Sequence, residues 1–240
     1  MPKYKRVLLK LSGEALAAAD GILNGSFILK VCGVIKKCAG EGVQVAVVIG
    51  GGNIWRGRQG VSVSRARSDG IGMLATLINS LAVQDCLISS GLDAVVLSAL
   101  DVQKLAEGYS PDAAIRYLES GTAVILACGT GNPYFSTDTG AMLRALEIKA
   151  DILLCAKNID GVYDSDPKSN PGAKRIERIS YGEMIKRGLN AVDQTAACMG
   201  AENGMKMLVF ALSDPENIYR AVMGEEIGTV IECGERSEGV

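Results

Sequence analysis

The sequence contains no histidine. Hydrolysis by a Ser-His-Asp triad, proteolysis by a Cys-His pair and His-ligated metal chemistry are therefore excluded. Whatever the chain catalyses must rest on Lys, Arg, Asp, Glu, hydroxyls, thiols and backbone amides. Runs of basic residues are also missing. The 25 Lys and Arg are scattered against 27 Asp and Glu, for a net charge of −2, which argues against nucleic acid or an acidic membrane surface as the main partner. The seven cysteines (32, 38, 86, 128, 155, 198 and 233) are odd in number, include no C-x-x-C and sit mostly in apolar runs, which speaks against a disulfide framework or a zinc site. Read along the chain, no apolar run approaches the roughly 20 residues needed to span a bilayer. The Met1–Arg6 start has no signal-peptide cleavage pattern, so the expected location is cytoplasmic.

What is present is globular: 48% hydrophobic residues and 29 glycines in 240 residues supply ample core. Short apolar runs alternate with helical patterns over the whole length, without linker, repeat or low-complexity break. This predicts one α/β domain over 1–240, with a mostly parallel sheet covered by helices on both faces. Val45–Gly57 is the pivotal stretch. A continuous β-branched run, as in a strand buried on both faces, opens into Gly50-Gly51-Gly52-Asn53, with Arg56 beyond. At the carboxyl end of a parallel strand such glycines expose amide N–H groups to an anion, and a following helix would add its dipole. Arg56 could close on the same anion. A tight turn with an exposed arginine is the plainer reading of this stretch taken alone.

The first strand, Lys5–Leu11, is interrupted by Lys10 and runs into Ser12-Gly13, placing a lysine near a strand end. Gln59–Ser68 reads as a polar, basic, mobile loop. Ser68-Asp69 then caps a long apolar helix to about Ser90, with Asp69 as a plain helix cap or something more. Further strands are expected at Ala94–Ser98, Thr122–Ala127, Asp151–Cys155, Met207–Ala211 and Gly228–Ile231. The strand ending at Ala127 opens into a second loop rich in glycine and hydroxyls, Gly129 to Asp138, before a helix from about Thr139. A polar hairpin-like connection follows at Ala156–Pro167, and Gly234–Val240 should fray. Three strand-end loops thus fall on one edge of the sheet, where open α/β sheets bind ligands.

Several anion-binding loops, two cations and no histidine suit phosphoryl transfer, where the protein mainly positions groups and neutralises charge. A Walker A motif, the protein-kinase set and G-x-G-x-x-G after the first strand are all missing. The segments Lys10-Leu-Ser-Gly-Glu-Ala, Gly50-Gly-Gly-Asn-Ile-Trp-Arg-Gly57, Asp69 with Gly72-Met-Leu-Ala-Thr76, Thr130-Gly-Asn-Pro-Tyr-Phe-Ser-Thr-Asp138, Asp160-Gly-Val-Tyr163 with Asp166-Pro167, and Met223-Gly224 with Gly228-Thr229 resemble the bacterial uridylate (UMP) kinases of the amino-acid-kinase superfamily. The likeness covers nearly the whole chain in order. Its first loop is shared across the superfamily, whereas the Gly-Met-Leu-Ala-Thr and Thr-Gly-Asn-Pro segments are more specific.

The resemblance implies a three-layer αβα sandwich that transfers phosphate from ATP to UMP. It implies that Lys10, Leu11, Ser12 and Gly13 sit at the ATP phosphates and that Gly52 and Arg56 bridge donor and acceptor. Lys157, Tyr163 and Asp166 would line the ATP adenosine. Gly51 would touch UMP and Asp69 its ribose, with Thr130, Gly131, Asn132, Pro133, Tyr134, Phe135, Ser136 and Thr137 wrapping its phosphate and base. Asp138 and Asp193 would join Lys10 and Arg56 at the reacting centre. Magnesium held by nucleotide phosphates and water, a homohexamer, GTP activation and UTP inhibition are also implied, with neither nucleic acid nor membrane as partner. Departures are Trp55 for a smaller residue, Ser136 for threonine, and Ala17–Gly21 in place of a glycine-rich segment, the last bearing on GTP regulation. A kinase of a carboxylate or amino acid such as N-acetylglutamate, and a non-catalytic nucleotide sensor, are the rival readings.

Overall fold

The structure is a computed structural model and describes residues 1–19, 21–57, 63–167, 169–189 and 192–234. Its strands are β1 (Arg6–Leu11), β2 (Gln44–Ile49), β3 (Ala94–Ser98), β4 (Glu107–Gly108), β5 (Ala123–Ala127), β6 (Ile152–Lys157), β7 (Val162–Tyr163), β8 (Arg175–Ile176), β9 (Arg178–Ser180), β10 (Met207–Ala211) and β11 (Thr229–Glu232). The helices are α1 (Gly25–Gly40), α2 (Arg65–Ser89), α3 (Pro111–Glu119), α4 (Thr137–Glu147), α5 (Tyr181–Lys186), α6 (Gln194–Asn203) and α7 (Glu216–Met223). Nine strands form one sheet in the order β4-β3-β5-β2-β1-β6-β10-β11-β9, and β7 pairs with β8 as a separate hairpin. Every neighbouring pair in the large sheet is parallel except β10–β11.

Alternation along the central strands divides the core into two layers. Val7, Leu9 and Leu11 face a cluster containing α1, α2 and α7, whereas Leu8 faces one containing α3, α4, α5 and α6. This is the expected αβα sandwich, with β1 at its centre. The carboxyl ends of β5, β2, β1 and β6 lie side by side, so the three expected loops share an edge.

Several local expectations are corrected. The helix expected to be capped by Ser68-Asp69 starts at Arg65 behind Ser64, which puts Asp69 in its second turn and removes the capping role. Residues 65–68 are therefore helical rather than loop, while residues 59–62 of the expected mobile loop, and the tail beyond 234, lie outside the described residues. No helix follows the three glycines directly: Ile54 and Trp55 donate back to the Gly51 carbonyl in a tight turn, and α2 comes later. Contrary to the reading of apolar runs, α2 has the length and apolar composition to cross a bilayer. It is a core helix instead, with Ala75, Leu77, Val83 and Leu87 buried against β2, β3 and β5.

Candidate active site

Lys10 and Lys157 reach one carboxylate from neighbouring strands. In the β1–β6 ladder Lys10 pairs with Cys155, and period-2 alternation puts Lys157 on that same face. Lys10 Nζ lies 3.0 Å from Asp138 Oδ1 and Lys157 Nζ 3.0 Å from Asp138 Oδ2. Asp138 occupies the first turn of α4, where the helix dipole also favours negative charge. Burial alone would push the Lys10 ammonium down, but Asp138 outweighs it and holds the pKa above the ordinary lysine value. Burial would likewise raise Asp138; its two lysines overcome this and hold it below the ordinary carboxylate range. Lys10 and Asp138 therefore stay charged at neutral pH. The adjacent Cys155 thiol is pushed up to about 11 by burial and is inert.

The loops after β1 and β2 touch through backbone. A Cβ on Gly13 would lie 2.3 Å from the Gly50 carbonyl oxygen, and one on Gly51 would lie 2.8 Å from the Gly72 carbonyl oxygen, so both positions require glycine. Asn79, fully buried on α2, donates to the Gly50 carbonyl (2.7 Å) and to Asn53 Oδ1 (2.8 Å), fixing the glycine turn. Arg56 donates from Nε to the Gly52 carbonyl (3.1 Å), and its Nη2 lies 2.9 Å from Glu14 Oε1. The Leu11 side chain is buried in the core, so only its backbone faces the site beside Ser12.

A cleft of about 340 Å³ lies between the glycine turn, α2 and the loop after β5. Gly51, Gly52, Asp69, Thr130, Asn132, Phe135, Ser136 and Thr137 line it, together with Trp55 and Thr76. Gly131, Pro133 and Tyr134 belong to the same loop but do not line the cleft. The loop closes on α2 where Tyr134 N–H donates to Asp69 Oδ2 (2.8 Å). Thr130 Oγ1 donates within the loop to the Asn132 carbonyl (3.2 Å) and accepts from the Asn132 N–H (3.2 Å). The Ser136 hydroxyl caps α4 through Thr139 N–H (3.1 Å). Trp55 Nε1 donates to Ser68 Oγ (2.9 Å), which sets the indole against this cleft.

A second cleft, of about 580 Å³, contains Lys157, Tyr163 and Asp166. Val162, Leu189 and Val209 give it apolar surface, and Arg187 stands on its wall. Its β7–β8 hairpin is fastened to the sheet by buried Thr229, which accepts from Val162 N–H (2.8 Å) and donates to the Ile176 carbonyl. Lys157 lines this second cleft, and Asp138 follows Thr137 of the first. The lysine–aspartate–lysine group thus stands between the two clefts.

Asp193 is placed differently from Asp138. It caps α6 by accepting from Ala196 N–H (3.0 Å) and also accepts from the hydroxyls of Thr139 (2.8 Å) and Ser136. It braces the acceptor-side loop against α6. Sequence reasoning missed Glu14 and Asn79. Glu14 sits inside the quoted Lys10–Ala15 segment, and Asn79 is a polar interruption in an apolar helical run, which was the available signal.

The amino acid kinase family model matches residues 5–211. The chain is similar to the crystal structure of UMP kinase from Bacillus anthracis, with 35% identity, TM-score 0.93 and 97% of each chain covered. It is also similar to UMP kinase from Ureaplasma parvum (34% identity, TM-score 0.90, 96% of this chain and 99% of that one). Uridylate kinase from Archaeoglobus fulgidus matches with 32% identity and TM-score 0.71, over 96% of this chain and all of that one. With both the family pattern and the fold shared over almost its whole length, the chain belongs to the amino acid kinase family.

Proposed function

We propose that this chain transfers the terminal phosphoryl group of ATP to UMP, giving ADP and UDP, as a cytoplasmic enzyme of pyrimidine nucleotide synthesis. The observation that carries the reading is the Lys10–Asp138–Lys157 group between two clefts, one walled by the uridylate-kinase segments. Phosphoryl transfer asks for in-line placement and charge neutralisation, and these fixed cations supply both. In this reading Lys10 meets the transferring group, oriented by Asp138, and Ser12, Gly13 and Gly52 give backbone contacts to the ATP phosphates. Arg56 leaves Glu14 to bridge donor and acceptor. Lys157, Tyr163 and Asp166 hold the adenosine side. Asp69 and the loop 130–137 hold UMP, and Asp193 keeps that loop on α6. The similarity of the chain to UMP kinases over nearly its whole length favours this over a carboxylate acceptor or a sensor.

Both Asp138 oxygens lie 3.0 Å from ammonium groups, and no three acidic or cysteine side chains converge among the described residues. That donor set fits magnesium arriving on the nucleotide phosphates, where it neutralises charge, rather than a metal bound by the protein alone. The whole of 1–240 acts as one catalytic domain. Assembly into a homohexamer is part of the same reading, supported by Ile71, Leu74 and Ile78, which leave an apolar stripe exposed along α2. A coupled assay of ATP consumption with UMP, with CMP and dTMP as controls, tests the proposal. Turnover only with a carboxylate acceptor, or none at all, would overturn it.

A further inference from the structure

The loop that opens the acceptor-side cleft starts from an unusual backbone. Cys128 (φ 65°), Gly129 (φ 57°), Gly131 (φ 80°) and Tyr134 (φ 73°) are all left-handed. Two of these carry a Cβ, and such conformations persist only where the surroundings over-determine them. Two side chains hold the start of the loop from beneath. Cys128 N–H donates to Thr76 Oγ1 (2.9 Å), and the Thr76 hydroxyl spends its own proton on the Met73 carbonyl (2.7 Å). The hydroxyl can therefore only accept at Cys128. One residue on, the Gly129 carbonyl accepts from Arg144 Nη2 (2.9 Å).

Arg144 is only 6% exposed, and its guanidinium is held by two further side chains. Nη1 donates to Glu147 Oε2 (2.6 Å), the guanidinium carbon lies 3.9 Å over the Tyr109 ring, and the Tyr109 hydroxyl donates to the same Glu147 oxygen (2.6 Å). Consecutive residues are thus pinned to α2 and α4 just before Thr130. The far end of the loop is tied to α2 through Asp69. Thr76 borders the cleft, but neither it nor Arg144 is among the residues assigned above to hold UMP.

We propose that Thr76 and Arg144 are positioning residues for the acceptor, holding Cys128 and Gly129 left-handed so that residues 130–137 face the UMP side of the cleft. The inference rests on the assignment of that cleft to UMP. Thr76→Val keeps the shape and removes the acceptor, while Thr76→Ser restores it. Thr76→Val should raise KM for UMP by about tenfold or more while KM for ATP stays within about twofold, because misplacing one side of a two-substrate site penalises that side. Thr76→Ser should behave as the parent chain. Amide hydrogen exchange at 129–135 in the free protein should quicken with valine and not with serine. Equal shifts in both KM values, serine behaving like valine, or unchanged kinetics would overturn the proposal. If the valine chain does not fold, Arg144→Lys gives the same reading, since it keeps a charge for Glu147 and loses the fork that reaches Gly129. Absence of UMP turnover by the parent chain would defeat the assignment of the cleft, whereas the exchange comparison would still decide the positioning role.

Discussion

Replacing Asp138 by asparagine keeps the side-chain shape and removes the carboxylate that lies between the ammonium groups of Lys10 and Lys157. Each lysine lies 3.0 Å from the carboxylate, and all three side chains are less than one-fifth exposed. At an effective dielectric of about 20, each pair contributes roughly 5 kcal/mol of gross attraction. Most of this is offset by desolvation, so the net cost of removing one partner of such a buried pair is about 3–5 kcal/mol. A domain stable by about 5–15 kcal/mol then loses a large share of its margin. Urea unfolding at pH 7 should show a lower midpoint with an unchanged slope. Adding Lys10→Met to the variant should recover part of the loss, because one of the two repelling ammoniums is gone. The pH dependence follows from the signs. Asp138 is held below its ordinary range, so its contribution is complete above pH ~4 and disappears as acid takes the pH through the lowered folded value. Lys10 is held above its ordinary value, so its contribution is complete below pH ~10 and disappears as the pH rises through the raised one. A loss below about 1 kcal/mol, the range of exposed ion pairs, would refute a buried charge cluster.

Lys10→Met should retain nucleotide binding and lose about a hundredfold or more in turnover, as expected for loss of a fixed transition-state charge. A rate within a few-fold of the parent would reduce Lys10 to a structural lysine. Asp69→Ala should weaken UMP far more than ATP in separate titrations, since a polar partner is lost on one side only; equal weakening would contradict an acceptor role. With no histidine to act as base, the acceptor dianion must arrive ready-made, so kcat/KM for UMP should fall on the acid side near pH ~6, where a phosphate monoester takes up its proton. A profile flat to pH ~5 would exclude a phosphate acceptor. Gly13→Ala should fold poorly or lose activity by circular dichroism and assay, because its methyl would sit 2.3 Å from the Gly50 carbonyl oxygen.

The central strands were legible because each is a continuous apolar run bounded by turn residues. Ala94–Ser98 and Met207–Ala211 agree with the structure to the residue, and the apolar flanks of Lys10 marked it as something other than an edge lysine. The two-residue strands at Glu107, Val162 and Arg175 were not legible, since two residues show no period. The start of α2 was misplaced because Arg65-Ala-Arg-Ser reads as polar loop; helix propensity tolerates these residues, although the dipole disfavours cations in a first turn. Among the site residues, strand-end positions could be placed from topology, whereas partners brought from elsewhere could not. Asp193 read as chemistry because it is acidic and family-like; only the fold reveals a cap on α6 that also accepts from Ser136 and Thr139. Arg144 is a lone charge inside Ala141–Leu146, a signal that burial explains in retrospect.

The pairing of β1 with β6 also ties the timing of activity to the timing of folding. Lys10 faces Asp138 only when it stands opposite Cys155, a residue more than half the chain away. A slip of one position would turn the ammonium to the other side of the sheet and present a leucine in its place. Local contacts such as β1 with β2 form across a shorter loop, and closing the longer one is the slower search. During refolding, helical signal and partial burial should therefore return before phosphoryl transfer does, and the regain of turnover becomes a direct clock for the central strand pair. A chain caught in the wrong alignment would look nearly native to a spectroscopist and be silent in the assay.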